Sequence, residues 1–239
     1  MFTKAMMFFF YTESPLHVGS GRDMGVVDLP IQRDKVTQYP IVQASSLKGK
    51  LRAELAEKQS AANIEILFGK AGGGNDNWAG AVSPGDARIL LFPVRSLNGV
   101  FAWATSLDVL TRFRRDVALA RQTVDWELPK DEVGKDTCWV ANGTVVHSGN
   151  RVTLEEFTYD VKTNEFVFTL ATWLAKNALP QTDEYRFWRE KLARHLVILP
   201  EDGGGGARRP GARPRPPAAR GAPRQSSRPP PAGAPGAPP

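Results

Sequence analysis

Residues 16–52 read LHVGSGRDMGVVDLPIQRDKVTQYPIVQASSLKGKLR, and the architecture can be read from this stretch. It holds a glycine-studded irregular segment, a short apolar piece and the opening of a helix. Gly19, Gly21 and Gly25 sit before Pro30, so Val18–Gln38 reads as a long loop. Loops of that length inside a domain are usually functional or disordered. Glycines permit close backbone approach, so main-chain N–H groups at Gly19 and Gly21 can reach a phosphate. The spacing is neither a dinucleotide fingerprint nor a P-loop, because the required third glycine and following helix are absent. Pro40–Gln43 is a short strand candidate. Ser45 or Ser46 then caps a helix whose Leu47, Leu51 and Leu55 recur at i, i+4, i+8. Lys48, Lys50, Arg52 and Lys58 lie off that stripe, and Gly49 suggests close approach of another backbone.

On either side of this stretch the chain alternates strands and helices. Met6–Thr12 is an apolar, aromatic run expected as a strand buried on both faces. Ile64–Gly69 is another apolar piece, and residues 71–79 (AGGGNDNWA) read as flexible loop. Asn98-Gly99 between Ala87–Val94 and Val100–Thr105 is a hairpin signal. Ser106 caps a helix with Leu107, Leu110, Arg114 and Val117 on one face. Trp126–Trp139 reads as a polar connection, and Val152–Val161 and Glu165–Leu170 as paired strands around Lys162-Thr163-Asn164. Tyr185–His195 is helix-like, and Leu196–Leu199 is a last apolar run. The expected class is α+β with a mixed or antiparallel sheet.

Charge is unevenly placed. The chain has 31 Lys+Arg and 25 Asp+Glu, a net +6 and a pI near 9.6. Residues 203–239 hold seven Arg and no Lys, Asp or Glu, which leaves 24 basic against 25 acidic residues in 1–202. A basic pI reads at face value as a nucleic-acid binder, but this one belongs to the tail, and any such claim for the body must rest on local placement of Lys and Arg. Gly, Ala, Arg and Pro fill 34 of those 37 tail positions, so the tail is expected to be disordered. It reads either as a basic Pro-rich extension or as a GC-rich gene translated out of frame, and the abrupt change at Asp202/Gly203 favours the second. The organisation is thus 1–202 as one domain and 203–239 as tail. The single cysteine, Cys138, excludes an internal disulfide and a zinc-type cluster. The apolar start is too short to span a membrane and is succeeded by Glu13, so a soluble cytoplasmic protein is expected.

The glycine loop, taken with the strand candidate and helix start up to Arg52, resembles the N-terminal signature of the repeat-associated RAMP superfamily. The match is closest to the backbone subunits of the Cmr complex of type III-B CRISPR systems. The elements are His17/Gly19/Ser20/Gly21, Met24–Asp28, Pro30–Arg33, Tyr39-Pro40 and Ser45–Gly49 with Leu51-Arg52, and Phe92–Thr105 adds to the likeness. The resemblance implies a ferredoxin-like, RRM-related palm carrying an inserted β-hairpin thumb. It implies copies stacked on a guide (CRISPR) RNA with other Cmr-type subunits, cutting guide-paired target RNA in antiviral defence. An acidic residue in the loop after the first strand would promote this endoribonuclease step with a divalent metal, Mg2+, and by motif it maps onto Asp28.

The chemistry agrees. RNA carries its own 2′-OH nucleophile, so a carboxylate need only hold a cation near the scissile phosphate or accept the proton. Magnesium takes one or two carboxylates and keeps its waters. A lone Asp after Val-Val would otherwise cap a turn beside Pro30. His17 is the second catalytic candidate, assigned to positioning or RNA contact ahead of proton transfer. Asp23 and Asp34 are the substitutes for Asp28. Lys48, Arg52 and Lys50, with Ser46 at the helix start and Gly19 and Gly21 in the loop, are the RNA-binding candidates. Arg33 and Arg95 are weaker, His147 and His195 receive no role, and Trp78 is expected to pack rather than stack on a base. The alternatives are a non-catalytic or defective scaffold that only binds guide RNA, and a guide-processing ribonuclease of the same superfamily. The second half expected of the family is missing after Glu201-Asp202, which implies a truncated, marginally stable chain with an exposed sheet edge.

Overall fold

The computed structural model describes residues 4–19, 31–70 and 78–201. Asp28, Gly21, Asp23, residues 71–77 of the second glycine loop and the tail 203–239 lie outside them.

A seven-stranded mixed sheet organises the described chain. The hairpin signal is met: β3 (Phe92–Arg95) and β4 (Phe101–Ser106) pair antiparallel, with Gly99 at φ +75° in the turn. The last apolar run becomes β9 (Leu196–Leu199), a central strand buried at every position. It lies parallel to β4 and antiparallel to β5 (Thr137–Val140). A strand covered on both faces has no polar side to show, which is why LVIL is unbroken. β8 (Phe157–Thr163) runs parallel to β5 and antiparallel to β7 (Arg151–Leu154), and β6 (His147–Ser148) closes the far edge. The order is β3-β4-β9-β5-β8-β7-β6.

Helices cover one face. In α3 (Leu107–Leu119) Val109, Leu110, Phe113 and Val117 are buried, so Phe113 and not Arg114 completes the apolar stripe. Ser106 caps it as expected, its side chain accepting the Val109 N–H. Glu165–Leu170 is not a strand. It opens α4 (Glu165–Asn177), capped by Asn164 Oδ1, which accepts the Phe166 N–H at 2.9 Å. The hairpin partner of β8 is instead β7, joined to it through Glu155-Glu156. α5 (Arg186–His195) lies beside α4, and Leu192, Trp139, Trp103 and Ile198 share its core with α3 and α4.

Met6–Thr12 is corrected as well. It forms no strand, and only one face is covered: Met7, Phe9 and Tyr11 pack against the core, while Met6 and Phe8 are 81% and 71% exposed. Phe9 meets Phe113 of α3 and Trp173 of α4, so the segment lies on the helices. A small second layer holds β1 (Ile41–Val42) paired with β2 (Ala87–Arg88), α1 (Ala44–Ala56) and α2 (Ala61–Phe68). No helix among the described residues is long and apolar enough to cross a membrane.

Candidate nucleic-acid interface

The flanks of the first glycine loop are tied together by one side chain. Gly19 bridges Ile31, and the Gln32 N–H donates to the Val18 carbonyl at 2.9 Å. Gln32 Nε2 donates to the Gly19 carbonyl at 3.0 Å, and its Oε1 accepts the Gln43 N–H at 3.2 Å. The Gln32 carbonyl in turn accepts the Ile41 N–H at 3.1 Å. Gln32 therefore joins both ends of segment 20–30 to β1 and to Gln43, the residue that precedes α1. Sequence reasoning placed Gln32 in the loop and gave it no role, although it stands in the quoted PIQR piece. His17 is exposed beside this clip, its Cε1 3.8 Å from where a Cβ on Gly19 would lie.

The helix α1 begins one residue before the expected caps. Gln43 is the N-cap and makes no side-chain cap bond, so Ser45 and Ser46 stand inside the first turn, both exposed. The cap comes from outside: the Ala44 N–H donates to Asp86 Oδ1 at 2.8 Å. A carboxylate at this end satisfies the positive helix terminus. It takes one N–H that the sequence reading offered to phosphate, so anion affinity here rests on the cations. Those cations differ. Lys50 Nζ is 2.6 Å from Glu54, an i,i+4 pair that holds its charge, whereas Lys48 and Arg52 are half-buried and in none of the ion pairs formed among the described residues. The Glu54 carboxylate also raises the Lys50 pKa. Gly49 does not mark a close approach, since a Cβ there would meet nothing within 4 Å.

Of the acidic substitutes, Asp34 is committed to a turn. Its Oδ1 accepts the Thr37 N–H at 2.7 Å, the Thr37 hydroxyl at 2.9 Å and the Val36 N–H at 3.0 Å. These bonds, the Thr37 backbone first, hold its pKa below the usual carboxylate range. That is the behaviour of a turn-forming Asp. Among the described residues no three His, Cys, Asp or Glu side chains converge as a metal site. Arg33 Nη1 donates to the Gln38 carbonyl at 2.8 Å and braces the same turn. Arg95 is exposed in β3, the edge strand of the seven-stranded sheet. Trp78 departs from its packing expectation: it is half exposed, with Lys70 Nζ 5.3 Å from the ring centre.

Known proteins share both the sequence pattern and the fold. A family model described as the RAMP superfamily matches residues 9–211. The CRISPR system Cmr endoribonuclease Cmr4 of Pyrococcus furiosus is 42% identical over 203 residues, 83% of this chain and 65% of the relative. The CRISPR system CMR subunit Cmr4 of Saccharolobus solfataricus is 33% identical over 120 residues, 47% of this chain and 38% of the relative. The solved structure of oligomeric Cmr4 from Pyrococcus furiosus superposes with a TM-score of 0.62 at 33% identity, covering 80% of this chain and 66% of that one. That likeness bears out the expected RAMP-type α+β fold. The chain spans less than two thirds of the length of these relatives. With the family pattern matched over most of its length, the chain belongs to the RAMP superfamily.

Proposed function

We propose that this chain is a guide-RNA-binding backbone subunit of a type III-B CRISPR effector and that it cuts guide-paired target RNA at Asp28. The observation that carries the reading is the 42% identity to a Cmr endoribonuclease over 203 residues, alongside a RAMP family match over residues 9–211 that takes in the glycine loop and α1. Asp28 stands three residues before Ile31 in the sequence, within the segment whose flanks the Gln32 clip joins. The same clip reaches the start of α1, where Lys48 and Arg52 supply phosphate contacts. Backbone contact of this kind is independent of sequence, as a guide-reading subunit requires.

For cleavage, RNA held at Lys48 and Arg52 presents its 2′-OH and scissile phosphate near the loop. The Asp28 carboxylate then accepts the 2′-OH proton or serves as protein ligand to a divalent cation, with Mg2+ the expected metal. A bound metal supplies charge neutralisation at the phosphate. His17, beside Gly19, positions the RNA strand. Partners are guide and target RNA, further copies of the chain and other Cmr-type subunits, in the cytoplasm; the solved Pyrococcus relative is itself oligomeric.

The binding half of the reading is tested by titrating a labelled single-stranded RNA across a salt series. Lys48→Gln and Arg52→Gln should each lower the slope of log affinity against log salt by about 0.7, the value per phosphate contact for a single strand. Lys50→Gln should leave it unchanged, because Glu54 already holds that ammonium. Equal slopes for all three variants would contradict the assignment.

A further inference from the structure

A second surface combines exposed rings with cations that lack carboxylate partners. On α5, Phe187 is 62% exposed and its ring meets Trp188 edge-on at 5.2 Å. Lys191 Nζ sits over three rings, 4.2 Å from Phe101, 5.7 Å from Trp188 and 5.8 Å from Phe187. The β3–β4 turn is seated on the C-terminal end of the same helix. A Cβ on Gly99 would come within 2.7 Å of His195 Cε1, and His195 Nδ1 bonds the Phe101 carbonyl at 3.0 Å. That contact presents the intervening residue, Val100, to solvent at φ +73°, a left-handed conformation that a β-branched residue rarely adopts.

The charge here is one-sided. α5 carries Arg186, Arg189, Lys191 and Arg194 against a single acid, Glu190, and Glu190 is paired with Arg186 at 2.9 Å. Arg189 donates to the Pro180 and Thr182 carbonyls. Lys191 and Arg194 enter none of the ion pairs formed among the described residues. Burial lowers the pKa of His195, and the charges that act on it, Lys191 and Arg194, lower it further against the opposing Phe101 bond. On α5 itself four cations stand against one acid, with Asp183 and Glu184 in the short turn that precedes the helix.

Rings with an adjacent fixed ammonium suit an unpaired nucleobase and its phosphate, each stacked base contributing affinity without regard to sequence. A protein partner fits less well, because interface centres are depleted of lysine and Lys191 stands in the middle of these rings. We propose that the outer face of α5 and the β3–β4 turn form a single-stranded RNA site, with a base stacked on Phe187 and phosphates at Lys191 and Arg194. The site rests on the RNA-handling role proposed above, yet it uses neither the glycine loop nor α1.

The test is site-directed photocrosslinking of the full chain with a labelled polyuridine, comparing Phe187→p-benzoylphenylalanine with Lys48→p-benzoylphenylalanine. RNA captured at position 187 supports the site. Capture at position 48 alone overturns it and leaves the RNA-binding role standing. Capture at neither position overturns both. Capture of a second protein copy at position 187 in place of RNA also overturns it and makes the surface a protein contact. In parallel, Phe187→Ala should weaken polyuridine binding on the order of tenfold, while Phe187→Trp restores it. Because Phe187 is exposed, both variants should melt with the parent chain; equal polyuridine affinity for both would overturn the stacking role.

Discussion

At the scale of single residues, one side chain organises the candidate site. Gln32 ties Gly19 to Gln43 through both ends of its amide, while its backbone pairs with Val18 and Ile41. Gln32→Ala deletes the two side-chain bonds and leaves the backbone pair. With each bond worth about 1 kcal/mol net and the clip only partly buried, unfolding in urea should show a loss of about 1–2 kcal/mol. Target cleavage should fall by more than RNA affinity, since the loop flanks are no longer held while Lys48 and Arg52 are untouched. Unchanged stability and cleavage would remove Gln32 from the site. A comparable distinction separates the two lysines of α1. The resemblance already favours Lys48, which lies inside the quoted motif, over Lys50, and the Glu54 contact and greater exposure of Lys50 set the two further apart.

At the scale of elements, caps and periodicity explain both what the sequence revealed and what it concealed. The β3–β4 hairpin was legible because Asn-Gly has a local cause, and the Ser106 cap because its donor lies three residues on. α1 was legible as a helix, but its cap was not: Asp86 is distant in sequence, and nothing near Ser45 announces it. Glu165–Leu170 read as a strand because a short apolar run is ambiguous between periods of two and 3.6. Extended to Asn177, the buried set Val167, Leu170, Ala171 and Leu174 shows the helical period, and Asn164 is a cap by residue type. Asn164→Ala should therefore cost about 1 kcal/mol, while Ser45→Ala, whose hydroxyl caps nothing, should stay within about 0.5 kcal/mol. Thermal melts of the two variants give the comparison. A larger loss for Ser45→Ala would restore the serine cap. The Met6–Thr12 run shows another limit, since continuous apolarity did not distinguish a strand buried on two faces from a segment laid on helices with one face open.

At the scale of the whole molecule, the basic pI stands apart from the charges that matter. The body is close to neutral, and its candidate phosphate contacts are a few cations placed by α1 and α5. The fold was legible from residues 16–52 through their resemblance to a family, and the family match over residues 9–211 agrees. The packing that serves the interface, such as Gln32 bridging two elements or Lys191 seated over Phe101 of β4, joins separate elements that no local pattern links and was not legible. Everything proposed for catalysis turns on Asp28 cutting target RNA. The decisive experiment is single-turnover cleavage of a labelled target by the full chain assembled with guide RNA and the other Cmr-type subunits, parent against Asp28→Ala. The expected outcome is a rate loss of about 100-fold or more, the contribution of a positioned acid–base group, with guide-RNA affinity retained. Cleavage at the parent rate, or affinity lost in step with it, would refute the role of Asp28 and leave the chain a scaffold.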